Sequence, residues 1–131
     1  MSKSTLDKTI RYLAVIIGVI YIYQGMVTKI WFYGFDVMQM IYYFGISESA
    51  SRPISILLGL GQLIFGIGIM KDSGHAFMHY LNITLCFISC LVVFIVFPSR
   101  LADPFNPVVM YFALIALSTI SINLIADKGK P

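Results

Sequence analysis

Residues 11–29 read RYLAVIIGVIYIYQGMVTK, with no charge between Arg11 and Lys29. About 20 apolar residues in helical form are what it takes to cross the hydrocarbon of a bilayer. Three more charge-free runs follow, between Arg52 and Lys71, Asp72 and Arg100, and Asp103 and Asp127. They predict four transmembrane helices, over residues about 10–29, 53–70, 76–97 and 107–126. The composition agrees: 59% of the 131 residues are hydrophobic, 11% are charged, and the mean hydropathy is +0.88. Soluble domains are about 45–50% apolar and about 25% charged. The expected fold is therefore an all-α membrane protein, an antiparallel bundle of four transmembrane helices forming one domain over residues 1–131.

The polar ends, MSKSTLDKTIR and DKGKP, are too short to fold into a soluble domain. Bulky MVTKIWF follows the first run, rather than a small-residue cleavage pattern, so that run reads as a span and not a signal peptide. Four spans put both termini on one side with Lys3, Lys8, Arg11, Lys71, Lys128 and Lys130, against Lys29, Arg52 and Arg100 on the other. The positive-inside rule makes that first side cytoplasmic, in a bacterial inner membrane. The net charge of +3 follows from this topology and gives no reason to expect a nucleic-acid partner.

Lipid tails are as apolar as leucine, so helices in a membrane associate through small residues and polar contacts. In the second span Ser55, Gly59, Gln62 and Gly66 share one stripe, while Gly61 and Gly68 fall nearly opposite. Two glycine faces predict packing on both sides, one within the chain and one against another membrane protein or a second copy. The third span lines up His75, His79, Asn82, Cys86 and Ser89, with Cys90 at the margin. Such groups avoid lipid, so this face looks into the bundle or into water. The fourth span has a weaker line, Ala116, Thr119 and Asn123, and begins at Asn106-Pro107, an N-cap followed by proline at the first helical position. In the first loop, WFYGFDVMQMIYYFG, residues 36–44 predict a short interfacial helix. Asp36, Gln39 and Tyr43 lie on one face of it, Val37, Met40, Ile41 and Phe44 on the other, and Gly45 ends it.

The segments YLAVIIGVIYIYQGMVTKIW, LLGLGQLIFGIGIM and DPFNPVVMYFALIALSTISINL together resemble the DoxX-like family of small four-helix membrane proteins. The resemblance covers nearly the whole chain, and its most specific motif is DPFNP. It implies a membrane component or anchor of a redox complex, with no resident cofactor and a quinone as the small molecule most in keeping with it. Many relatives carry a glutamate in the second span where this chain has Gln62, and a neutral amide takes up no proton at physiological pH.

The candidate ligand-binding or polar-seam residues are Tyr21, Gln24, Gly25, Lys29, Gln62, His79, Asn82, Asp103 and Asn106. Lys29 has two readings. It snorkels to headgroups while Gln24 bonds a neighbouring helix, or it lies opposite Asp103 or Glu48 in a polar mouth that, salt-bridged, pins the first loop over the bundle and, unpaired, holds an anionic or quinone-like head. His75 and His79 have the spacing to share a metal but lack further ligands, so the sequence predicts no metal site. Cys86 and Cys90 read as packing residues. With no nucleophile–base pair or phosphate loop in view, independent catalysis is not expected. Two other function classes stand beside the anchor. One is an assembly protein that stabilises another membrane protein through the glycine faces. The other is a small transporter, disfavoured because no acidic residue lies within the four predicted spans.

Overall fold

The computed structural model describes residues 3–32, 34–102 and 106–129, leaving aside the side chains of Phe35 and Asp36. Helix α1 runs Lys3–Tyr23 and continues as a π-helix over Gln24–Trp31. Then come α2 (Phe35–Tyr43), α3 (Glu48–Lys71), α4 (Ala76–Val96), a 3-10 turn (Pro98–Ala102) and α5 (Pro107–Lys128). Four of these helices are long and apolar enough to cross a membrane: Lys3–Trp31, α3, α4 and α5. The chain is an all-α, multi-pass membrane protein.

The helices outrun the predicted spans where polar residues continue the backbone pattern. Charge-free runs mark what hydrocarbon tolerates, whereas helical hydrogen bonding extends into the flanks. The polar N-terminal stretch ahead of the first predicted span is helical from Lys3. Leu6, Ile10, Ala14 and Ile17 repeat at helical spacing and are all buried. Helix α3 begins at Glu48 rather than 53, with Pro53 inside it. Proline there removes one helical donor, a loss that matters least near a helix start.

The chain divides into two compact units, Gly18–Gly68 and Met1–Ile17 with Ile69–Pro131. In the first unit α1 and its π-helical continuation run antiparallel to α3. A Cβ built on Gly66 would stand 2.7 Å from the Gly18 carbonyl oxygen, and one on Gly25 would stand 2.5 Å from that of Gly59. The Ser55–Gly59–Gln62–Gly66 stripe is therefore an internal seam, closed by backbones that approach within van der Waals contact. Tyr21 packs edge-on against Phe65 in the same unit, with ring centroids 4.8 Å apart.

Helix α2 occupies nearly the predicted positions. Gly45, at φ 74°, closes it. The Ile46 N–H bonds the Ile41 carbonyl and the Gly45 N–H bonds that of Tyr42, the paired contacts of a Schellman motif. Ile41 is buried and Gln39 and Tyr43 are exposed, as the two faces require. Phe44 departs from its expected face: it sits at the C-cap and is 61% exposed. Asp36, assigned to the polar face, has a side chain outside the described residues.

In the second unit α4 and α5 are antiparallel neighbours. Cys90, Val93 and Val108 form an apolar cluster with Phe97, Leu101 and Tyr111 packed against it. Asn106 caps α5: its Oδ1 accepts the Val109 N–H at 3.1 Å, and Pro107 takes the first helical position. Asp7 near the start of α1 meets Lys128 at the end of α5, 2.6 Å apart, so the two ends of the chain lie together. That pair is half exposed and contributes little stability.

The α5 face differs from the sequence expectation. Ala116, Thr119 and Asn123 are exposed, and Val108, Leu114, Ser118 and Ser121 form the buried side. Thr119 satisfies its hydroxyl on its own helix, at the Ile115 carbonyl, and needs no partner across a seam.

Alanine at Gly25 or Gly59 must push the two backbones apart, at a cost of about 1–3 kcal/mol. Gly61 has nothing within 4 Å of a built Cβ, so Gly61→Ala should leave stability unchanged or slightly raised. Reversible unfolding in mixed micelles, followed by circular dichroism, should rank the three variants in that order.

Candidate functional site

The C-terminal end of the first span is where helix geometry, packing and polarity meet. From Gln24 to Trp31 the backbone takes the wider π register, a form that is rare and often found at functional positions. The Phe32 N–H closes the segment on the Val27 carbonyl, five residues back. Helix α3 satisfies the carbonyls at its end. Ser55 Oγ donates to the Lys29 carbonyl at 2.9 Å, and an Arg52 guanidinium nitrogen donates to the Ile30 carbonyl at 2.8 Å. Thr28 Oγ1 returns to the Gln24 carbonyl at 2.6 Å. Inside a membrane every backbone carbonyl needs such a partner.

Lys29 itself turns toward α3. Its Nζ donates to Gln62 Oε1 at 2.9 Å, and both side chains are half-buried. A lysine ammonium only donates, so the amide oxygen must be the atom facing it. The partner proposed on charge grounds, Glu48, makes no pair with Lys29, and Asp103 lies outside the described residues. Of the candidate seam, this unit brings Gly25, Lys29 and Gln62 into contact. Tyr21 stands one turn away on Phe65, and Gln24 contributes its carbonyl to Thr28.

The remaining candidates belong to the second unit. His79 and Asn82 are fully buried on α4. Asn82 Nδ2 donates to Ser118 Oγ at 2.7 Å and to the Leu114 carbonyl at 3.2 Å, while the Cys86 thiol approaches Asn82 Oδ1 at 3.6 Å. His79 Nδ1 lies 3.3 Å from Ser118 Oγ, and its Nε2 is buried without a hydrogen-bond partner among the described residues. Asn106, beyond its capping role, donates through Nδ2 to the Leu101 carbonyl at 3.3 Å. The arrangement is a polar ladder that fastens α4 to α5.

The two histidines of the candidate metal pair have different surroundings. His75 is exposed at the start of α4 and pairs with Asp72, whereas His79 is fully buried against Ser118. Among the described residues no three His, Cys, Asp or Glu side chains group as a metal site. Cys86 and Cys90 are free and buried.

Sequence reasoning passed over Ser118, the residue on which the ladder turns, and Arg52 as a carbonyl donor. Leu114, Ser118 and Ser121 follow one another along α5 at steps of four and three, which is the spacing of a packed face. That spacing was the available signal, obscured by the more polar Thr119 and Asn123.

A model of the DoxX-like family matches residues 18–119. That match includes the π-helical segment, α3, α4 and most of α5. No curated protein and no solved structure matches the chain.

Ser118→Ala removes the acceptor for Asn82 and the neighbour of His79, and should lower stability by about 1 kcal/mol, a usual size for one interhelical hydrogen bond in a membrane. Thr119→Ala, by contrast, should be nearly silent. Denaturant titration of both variants in micelles measures the difference.

Proposed function

The chain belongs to the DoxX-like family, and from that premise we propose that it is a non-catalytic membrane component, an anchor, of a quinone-linked redox complex. The observation that carries this reading is the unused glycine face of α3. One face of that helix is consumed inside the chain, where Gly59 and Gly66 meet α1. The other presents Leu57, Gly61 and Ile64 at helical spacing. Leu57 is 66% and Ile64 72% exposed, and nothing lies within 4 Å of a Cβ built on Gly61. A glycine between bulky apolar residues on a lipid-facing surface favours close approach of another helix. The anchor therefore docks a transmembrane helix of its partner along Leu57–Gly61–Ile64.

This protein lies in a bacterial inner membrane with both termini cytoplasmic. The meeting of Asp7 and Lys128 supports termini on one side, and the excess of Lys and Arg on that side supports the direction. Quinone is the small molecule of the assembled complex rather than a group this chain holds alone.

A second reading, an assembly protein that stabilises another membrane protein, draws on the same face but needs no quinone. Purification from native membrane in mild detergent, followed by mass spectrometry and quinone extraction, separates the two. The anchor reading expects a redox enzyme and quinone in stoichiometric yield, both lost from Gly61→Leu while the variant stays folded. A partner without redox function or quinone supports the assembly reading, and an unpartnered wild-type protein sinks both.

A further inference from the structure

We propose that Lys29 and Gln62 form a binding site for an oxyanion, a phosphate-type group. The site lies on the internal seam of α1 and α3, and the inference stands independently of any partner protein.

The first argument is charge. The Lys29 ammonium has three N–H donors, and one of them reaches Gln62 Oε1. Gln62 is neutral, so this bond satisfies a donor without balancing the charge. Among the described residues no carboxylate pairs with Lys29. An ammonium held against an apolar helix pair at the edge of the hydrocarbon calls for a counter-charge.

The second argument is the direction of the side chain. Ser55 bonds the Lys29 carbonyl, yet the Lys29 ammonium reaches Gln62. Gln62 lies two turns beyond Ser55 along α3, about 10 Å at 1.5 Å per residue. Lysine therefore bends back along its own helix, away from the α3 end at Glu48, as helical side chains favour. A lysine that only snorkelled would extend the opposite way, toward the helix end and water.

The third argument is donor chemistry. With one lone pair of Gln62 Oε1 taken by the ammonium, the pair presents the remaining ammonium hydrogens and the Gln62 Nε2 hydrogens against a single further acceptor lone pair. A donor-rich site with a net positive charge selects a ligand that only accepts and is negative, which is the description of a phosphate or sulfate oxygen pair. Both side chains are half-buried rather than sealed, so a ligand can reach them. Two sources offer that chemistry: the headgroup phosphate of an anionic phospholipid, and a dissolved oxyanion.

The test uses the full chain in a neutral maltoside detergent, stripped of lipid. Tm is followed during separate titrations with phosphatidylglycerol, phosphatidylcholine, sodium phosphate at constant ionic strength, and ubiquinone-1. The wild type should show a saturable rise with phosphatidylglycerol that phosphatidylcholine does not match. A matching rise with sodium phosphate identifies a dissolved oxyanion as a sufficient ligand, and its absence identifies the headgroup. Gln62→Glu places a carboxylate on the ammonium and should weaken the response about tenfold or more while the protein stays folded. Lys29→Arg should keep the response, and Lys29→Met paired with Gln62→Leu should abolish it. The proposal is overturned if Gln62→Glu responds as the wild type does, if no anion shifts the wild type, or if ubiquinone-1 is the only probe that does.

Discussion

Two glycine backbones in contact, Gly25 on the π-helical continuation of α1 and Gly59 on α3, set the geometry of the Gly18–Gly68 unit. Lipid gives helices no hydrophobic reason to associate, so the attraction must come from dispersion between close surfaces and from polar contacts. Both are available only at short separation. At this spacing Ser55 and Arg52 reach the carbonyls that end the π-helix, and Gln62 reaches the Lys29 ammonium. A side chain at either glycine would hold the helices apart and leave those carbonyls facing hydrocarbon.

The other unit solves the same problem with side chains. Helix α4 brings an amide and a thiol, and α5 brings small hydroxyl residues that let the helices close around them. Asn82 uses Ser118 and a backbone carbonyl together, which fixes the register between the two helices. Below that ladder the packing becomes apolar, around Cys90, Val93 and Val108. One hairpin is thus held by its backbone and the other by its polar residues.

The four spans were legible because the absence of charge over about 20 residues is a demand of the solvent, stated directly in the residue types. The α3 stripe and the α4 stripe were legible for a related reason, since glycines and polar groups in lipid have few places to face. The α2 stop at Gly45 was readable because few residues accept its positive φ. The starts of α1 and α3 were not, because hydrogen bonding along the backbone ignores the charge of Lys3 or Glu48. The π-helix has no residue signature at all, being decided by what α3 offers to its carbonyls. Lys29 was found as a candidate, but pairing by charge pointed to acidic loop residues. Its bonded partner is the amide two turns along the neighbouring helix, a choice set by the backward tilt of helical side chains.

A π turn accommodates one residue more than the α turn it replaces. The stretch from Gln24 to Trp31 therefore holds slack in chain length in the segment that carries Lys29. Loss of a residue there allows the turn to tighten into ordinary α geometry without disturbing the buried stripe that precedes it. A residue lost from an ordinary α turn would instead rotate everything after it by about 100° around the axis, enough to carry Lys29 off Gln62. The segment is a length buffer whose setting decides where a positive charge is aimed.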